Sequence, residues 1–253
     1  SNTLAKALKV IGLMNIQFAI KDLEKKEPNI YILEVNPRAS RTIPFVAKAT
    51  GNQFAGIAAR VMSGEKLSNF KILPWDKTDK ISVKEAVFPF GRFPGVDTLL
   101  GPEMKSTGEA MGLAENFGQA FAKAQMAVGL NLPKTGTLFI SVKDSDKIKV
   151  LPLCKSLLDL GFSIVATKGT SIYLEENNLK VKKINKVSEG RPHLVDAIKD
   201  GLVNIIFNTT EGEQSIKESF SLRRAALSAH IPYYTTLAGS KAATEAIISL
   251  NKD

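Results

Sequence analysis

The hydrophobic and polar positions of this chain follow two different rhythms. Between residues 13 and 35, two apolar stretches, LMNIQFAIK and NIYILEV, flank the polar segment DLEKKEP. Apolar runs on either side of a polar loop predict a β-hairpin. A helix of small residues is expected over about residues 43–62, followed by a proline-containing segment around Pro74 and Trp75 and a strand in SVKEAVFPF. The Gly- and Pro-rich stretch FPGVDTLLGPEMKSTGEAMG comes next, then a helix near residues 117–128. GLNLPKTG, residues 129–136, carries the turn signals of a boundary and divides the chain into domains 1–132 and 133–253.

Beyond that boundary, strands and helices alternate strictly. TLFISV is a strand, residues 146–160 a helix, GFSIVAT a strand, KGTSIYLEENN a short helix and VKKINKV a strand. RPHLVDAIKDG is a helix and LVNIIFNTT a strand; a helix reaches His230, and PYYTTL and a last helix complete the series. Such alternation predicts a parallel sheet covered by helices on both faces. Pro152 fits poorly inside its helix and predicts a kink there or a later start.

Composition narrows the function classes. The formal charge of +9 favours an anionic partner. Its lysines and arginines are scattered, however, with a modest run at Lys180, Lys182, Lys183 and Lys186. Zinc-finger spacing, an RNA-binding signature and basic–aromatic interleaving are all missing, so small phosphorylated ligands are expected rather than nucleic acid. No apolar run approaches the ~20 residues of a membrane span, and the first residues do not read as a signal peptide. The single cysteine, Cys154, excludes an internal disulfide framework and a thiolate metal cluster, which makes a cytoplasmic protein the expectation.

Two groups of polar residues carry candidate chemistry. Residues two apart in a strand share a face, so Glu34, Asn36 and Arg38 point the same way at the end of IYILEVNPR, with Pro37 weakening the case for Arg38. A hairpin centred on the polar loop sets Gln17 opposite Glu34. Polar groups within apolar strands are costly unless paired or bound to a metal. One carboxylate and two amide oxygens suit a hard cation such as Mg²⁺ beside nucleotide phosphates, and an arginine supplies a fork for a phosphate or carboxylate. A buried polar network that fixes strand register is the alternative.

The second group follows from the parallel sheet, because ligands bind outside the carboxyl ends of such strands. Three ends are rich in hydroxyl, amide and small residues: Thr167-Lys168-Gly169-Thr170, Lys186 with Glu189-Gly190-Arg191, and Asn208-Thr209-Thr210. Loop glycines, hydroxyls and helix N-terminal amides make an anion cradle, and Lys147 can reach the same end. Ordinary helix capping by Thr and Asn is the competing account.

GLMNIQFAIK, LEVNPRASRTIPFVAKATG, VKEAVFPFGRFPGVDTLLGPEMKSTGE and the last ~115 residues resemble, continuously and in order, the large subunit of the carbamoyl-phosphate synthetase family. Glu-x-Asn-x-Arg alone is shared by many ATP-grasp ligases; the flanking segments are far more specific. The resemblance implies an α/β chain that joins the C-terminal part of an ATP-grasp domain, α+β with antiparallel strands, to an open parallel-sheet, Rossmann-like, methylglyoxal-synthase-like domain. It implies that Gln17, Glu34 and Asn36 hold Mg²⁺ or Mn²⁺ in the ATP site that phosphorylates carbamate, and that Arg38 contacts the transferring group. The ATP-grasp parts that grip the nucleotide are not among these residues, so the chain alone is expected to be inactive.

For the second domain the resemblance implies nucleoside monophosphate binding, UMP as inhibitor and IMP as activator, by Lys147, Thr167, Gly169, Thr170, Lys186, Asn208, Thr209 and Thr210. Ornithine contacts map to Glu85, Tyr233 and Thr235. Further implied partners are a glutamine amidotransferase small subunit and other copies of the large subunit. Two departures stand out: Lys168 replaces a histidine common in the family, and Tyr234 replaces an aspartate often found beside Thr235. A lyase of the methylglyoxal synthase type would share the second fold but needs a catalytic aspartate and histidines around the phosphate. This chain has His193 and His230 alone, NTTEGE lacks that aspartate, and His193 is expected to cap its helix. A purely regulatory module is the remaining reading.

Overall fold

The computed structural model describes residues 1–74, 79–93, 96–100, 103–209, 211, 217 and 219–252. They form two compact units, Ser1–Asp79 and Lys80–Asp253.

The first unit contains α1 (Asn2–Ala7), the hairpin strands β1 (Asn15–Lys21) and β2 (Asn29–Asn36), α2 (Thr42–Thr50) and α3 (Phe54–Met62). β1 and β2 are antiparallel with Gln17 directly opposite Glu34, the register expected from their equal distance to the loop. Between Gln17 and Phe18 the register slips, so that Phe18 faces Ile32 and Leu33 is the extra residue of a bulge. The single helix expected over 43–62 is instead two. Gly51 takes a left-handed φ of +73° after α2, and the Asn52 side chain bonds both the amide and the carbonyl of Leu73, at 2.8 and 3.0 Å. A left-handed glycine ends a helix at little cost, and the tertiary hold of Asn52 fixes the break.

The second unit opens with β3 (Ile81–Val87), paired antiparallel with β4 (Gly108–Ala114), and α4 (Phe117–Ala127), which is capped by the Asn116 side chain on the Gln119 amide. β4 begins inside the Gly- and Pro-rich stretch, whose composition hid it. Gly112 is required there: a Cβ would stand 1.8 Å from the Ala120 carbonyl oxygen, so strand and helix approach backbone to backbone. A Cβ on Gly118 would stand 2.3 Å from Ser249 Oγ, so α4 also lies close against the C-terminal residues.

A five-stranded parallel sheet follows, in the order β7-β6-β5-β8-β9. Its strands are β5 (Thr137–Ser141), β6 (Ser163–Ala166), β7 (Lys182–Lys183), β8 (Ile205–Asn208) and β9 (Tyr233–Tyr234). The helices are α5 (Asp144–Asp159), α6 (Lys168–Glu176), α7 (Leu194–Lys199), α8 (Phe220–Ser228) and α9 (Leu237–Leu250). Strand alternation sends Leu138, Ile140, Ile205 and Phe207 to one face, packed with residues of α5, α6 and α9. Phe139 and Ile206 go to the other, against Leu194, Ile198, Leu222 and Ala226 of α7 and α8. Both faces are dry, the condition of a parallel sheet. Pro152 lies within α5 without ending it. The strand expected over 181–187 shrinks to the exposed edge pair Lys182–Lys183, where charged side chains blunt the open edge.

Candidate functional site

At the carboxyl ends of β5, β6 and β8, a cavity of about 690 Å³ opens above the sheet. Each strand delivers a polar residue to it: Ser141, Thr167 and Asn208. Ser141 Oγ and Thr167 Oγ1 are 2.9 Å apart. Thr209 Oγ1 accepts from the Lys143 amide at 3.2 Å. The Lys143 ammonium reaches Glu211 at 3.9 Å, and Lys186 lines the same space. Apolar walls come from Phe139, Leu194 and Leu222. A lining of hydroxyls, an amide, two lysines and apolar side chains suits an organic phosphate.

The residues expected here divide into two sets. Thr167, Lys186, Asn208 and Thr209 line the cavity. Thr170 is buried one turn behind it, where its Oγ1 accepts from the Val142 amide at 3.2 Å and so shapes the β5–α5 loop. Lys147 stands beside Gly169, its Nζ 3.7 Å from where a Cβ would project, and pairs with Asp144 at 2.7 Å, an ion pair that holds the Asp144 carboxyl below its ordinary range. Thr210 lies outside the described residues. Sequence reasoning missed Ser141, Lys143 and Ser219, which are each a residue or more from the loops it weighed; their signal was position at the end of β5 and ahead of α8.

Among the described residues no histidine lines the cavity. His193 caps α7, its Nδ1 accepting from the Asp196 amide at 3.4 Å while the Asp196 carboxylate accepts from the His193 amide at 3.1 Å. His230 precedes β9, at the amino ends of the strands, opposite the cavity.

A second polar group joins β3, α4 and β9. Tyr234 donates its hydroxyl to Gln125 Oε1 at 3.1 Å, and Gln125 Nε2 donates to Glu85 Oε2 at 2.9 Å. Burial pushes the Glu85 carboxyl up, with the Gln125 bond opposing. Burial also raises the Tyr234 phenol. Strand alternation turns Tyr233 the other way, toward Asn208, and Thr235 is exposed just before α9. The sequence expectation grouped Glu85 with Tyr233 and Thr235; the residue bridged to Glu85 is Tyr234.

On the hairpin, Gln17 and Glu34 face each other and the Asn36 amide nitrogen donates to Glu34 Oε1. All three are at least partly open to solvent. One carboxylate flanked by two amide groups is an oxygen-rich donor set of the kind Mg²⁺ accepts with phosphates completing its shell, so these residues fit a hard cation. Arg38 lies past the end of β2, and its guanidinium donates to the Ala39 carbonyl at 3.0 Å rather than joining Glu34. No helix among the described residues is long and apolar enough to cross a membrane.

Comparison with known proteins defines the class first. Residues 1–70 match the carbamoyl-phosphate synthase L chain, ATP binding domain, and residues 149–235 match the MGS-like domain. The chain therefore joins part of an ATP-grasp domain to an MGS-like domain. It is 56% identical over 98% of its length to the carbamoyl phosphate synthase large chain of Mesorhizobium japonicum, covering 21% of that protein. The corresponding protein of Rhizobium meliloti is 55% identical over 99% of this chain, with 22% of its own length covered. The Brucella suis protein is 54% identical over 98%, with 21% covered. The chain belongs to the carbamoyl phosphate synthase large chain family, and it spans about a fifth of the length of the curated relatives it matches.

Proposed function

We propose that this chain serves a carbamoyl phosphate synthase large chain in two ways: its hairpin supplies metal ligands to an ATP site that phosphorylates carbamate, and its parallel-sheet domain binds a nucleoside monophosphate that regulates the enzyme. The observation that carries the regulatory half is the polar cavity at the carboxyl ends of β5, β6 and β8, lined by Lys143 and Lys186 together with hydroxyls and an amide. Lys147, with the amides at the start of α6 around Gly169, extends the cationic end. Titration of the chain with UMP and IMP tests this half directly.

For the catalytic half, Gln17, Glu34 and Asn36 would hold Mg²⁺ or Mn²⁺. The bound cation would neutralise charge developing on the phosphoryl oxygens during transfer from ATP. Glu34 contributes the anionic ligand, the paired amides orient it, and Arg38 supplies a guanidinium to the transferring group. The residues that grip the nucleotide belong to other parts of the large chain, so this chain alone turns over neither ATP nor carbamoyl phosphate. The family boundary we assign, 1–132 and 133–253, follows the turn-rich segment; by packing, β3, β4 and α4 group with the parallel sheet.

The proposal extends to a glutamine-hydrolysing small subunit, self-association of large subunits, a cytoplasmic setting, and supply of pyrimidine and arginine synthesis. It also includes an ornithine site beside Glu85, Tyr233 and Thr235. A half-buried carboxylate whose partner is a neutral amide is suited to an ammonium group, which supports the reading. Calorimetry with ornithine, comparing the parent with Glu85→Gln, tests it: the parent binds and the variant does not.

A further inference from the structure

From the cavity wall, an unbroken series of polar contacts runs to a segment that the cavity does not touch. Asn208 ends β8 and is 3% exposed. Its amide nitrogen donates both to Ser219 Oγ, at 3.1 Å, and to the Tyr233 hydroxyl, at 2.6 Å. The Arg223 guanidinium, on α8 one position after the cavity-lining Leu222, reaches that same hydroxyl. Arg223 then grips Asp97 with both prongs of its fork, Nε to Oδ1 at 2.7 Å and the terminal nitrogen to Oδ2 at 2.5 Å. Asp97 in turn accepts from the Leu99 amide at 3.2 Å, and Arg224 donates to the Val96 carbonyl at 3.2 Å.

The Arg223 side chain is 4% exposed, so α8 carries a buried, rigid cation whose counter-ion stands on a segment distant in sequence. That segment is otherwise open: Val96, Leu99 and Leu100 are 41%, 42% and 59% exposed. A planar guanidinium holding both carboxylate oxygens leaves little room for gradual adjustment. A shift of α8 either carries Asp97 with it or breaks two charged bonds at once, which is the behaviour of a two-position coupling element.

We propose that the Arg223–Asp97 pair transmits occupancy of the cavity to residues 96–100. A ligand that engages Asn208 or Ser219 alters the bonds those groups share with Tyr233, and through Tyr233 the setting of Arg223. The inference rests on the nucleotide reading of the cavity, and it names the route by which that site acts beyond its own walls. Asp97 lies outside the cavity, so its removal separates binding from transmission.

The test uses UMP as probe, with calorimetry for binding and hydrogen exchange, read by mass spectrometry, for the backbone amides of residues 96–100. In the parent chain, saturating UMP changes exchange in this segment about fivefold or more. In Asp97→Asn, UMP binds within about threefold of the parent affinity, yet exchange at 96–100 no longer responds. Arg223→Lys keeps the charge, loses the fork and gives the same uncoupling, so it stands in should Asp97→Asn not fold. The inference is overturned if the variants respond to UMP as the parent does, or if the parent binds UMP with no change in the segment. A parent chain that does not bind UMP overturns the nucleotide reading itself, and calorimetry tells that failure apart from loss of transmission alone.

Discussion

Two sheets of this chain are made of similarly apolar strands with opposite fates. In β2, Ile30, Ile32 and Leu33 are 62%, 50% and 66% exposed. In β5, Leu138, Phe139 and Ile140 are 0%, 1% and 0% exposed. The parallel sheet has helices on both faces and builds its own cavity at the strand ends. A two-stranded hairpin is marginal in water and needs a further layer to bury its apolar residues. The difference teaches where each proposed function is to be measured: effector binding belongs to a unit whose core is closed, whereas metal-dependent chemistry belongs to a hairpin that requires the complete large chain.

The largest effect is expected on the hairpin. In the complete large chain, Glu34→Gln keeps side-chain volume but removes the anionic ligand. ATP formation from ADP and carbamoyl phosphate is expected to fall by about a thousandfold. Near-parent rates at saturating Mg²⁺ would make Glu34 a register-fixing residue only.

In the closed unit, Gly112→Ala drives a methyl into the Ala120 carbonyl. Strand or helix must shift, with an expected loss of about 3 kcal/mol. Denaturant unfolding followed by the fluorescence of tyrosines in the second unit reads it, and an unchanged midpoint would mean that β4 and α4 do not pack as described.

The hairpin and the parallel sheet were legible from pattern. Short apolar runs alternating with helical segments mark the strands of a sheet buried on both faces, and the equal distance of Gln17 and Glu34 from the loop gives their pairing. What was hidden depends on residues far apart in sequence. The break after α2 is held by Asn52 on Leu73, 21 positions away. β4 looked like loop because its Gly112 answers to α4 rather than to strand propensity. The bridge Tyr234–Gln125–Glu85 joins three elements whose neighbourhood no local signal reports. Thr170 was read as a ligand group; its hydroxyl oxygen also accepts from the Val142 amide, a commitment that no local signal reports.

That commitment makes a smaller prediction. Thr170→Val leaves the buried Val142 amide without its acceptor, at a cost of about 1–2 kcal/mol in stability. UMP affinity should weaken through the loop Thr170 holds. A variant as stable as the parent would show that the hydroxyl does not support the cavity.

Smaller still is a pH effect at Asp97, whose carboxyl the Arg223 fork holds below its ordinary range. Its unfolded value is about 3.9, so the stabilisation is fully present above that value and is lost as pH falls through the lower folded one. For a partly exposed carboxylate the contribution is about 1 kcal/mol. Melting temperatures of parent and Asp97→Asn, measured from pH 6 to pH 3, should converge as the pH falls. A gap that stays constant across that range would show that the carboxylate charge is not what Arg223 uses.

The central claim is that the cavity above the parallel sheet binds a nucleoside monophosphate through its phosphate, and calorimetric titration of UMP into the parent chain and Lys186→Ala tests it most directly. An ammonium meeting a phosphate is worth about 1.5–3 kcal/mol. Saturable binding to the parent is expected, with affinity weaker by roughly tenfold to a hundredfold in the variant. Equal affinity for UMP in the two proteins would contradict it and move the nucleotide site away from this cavity.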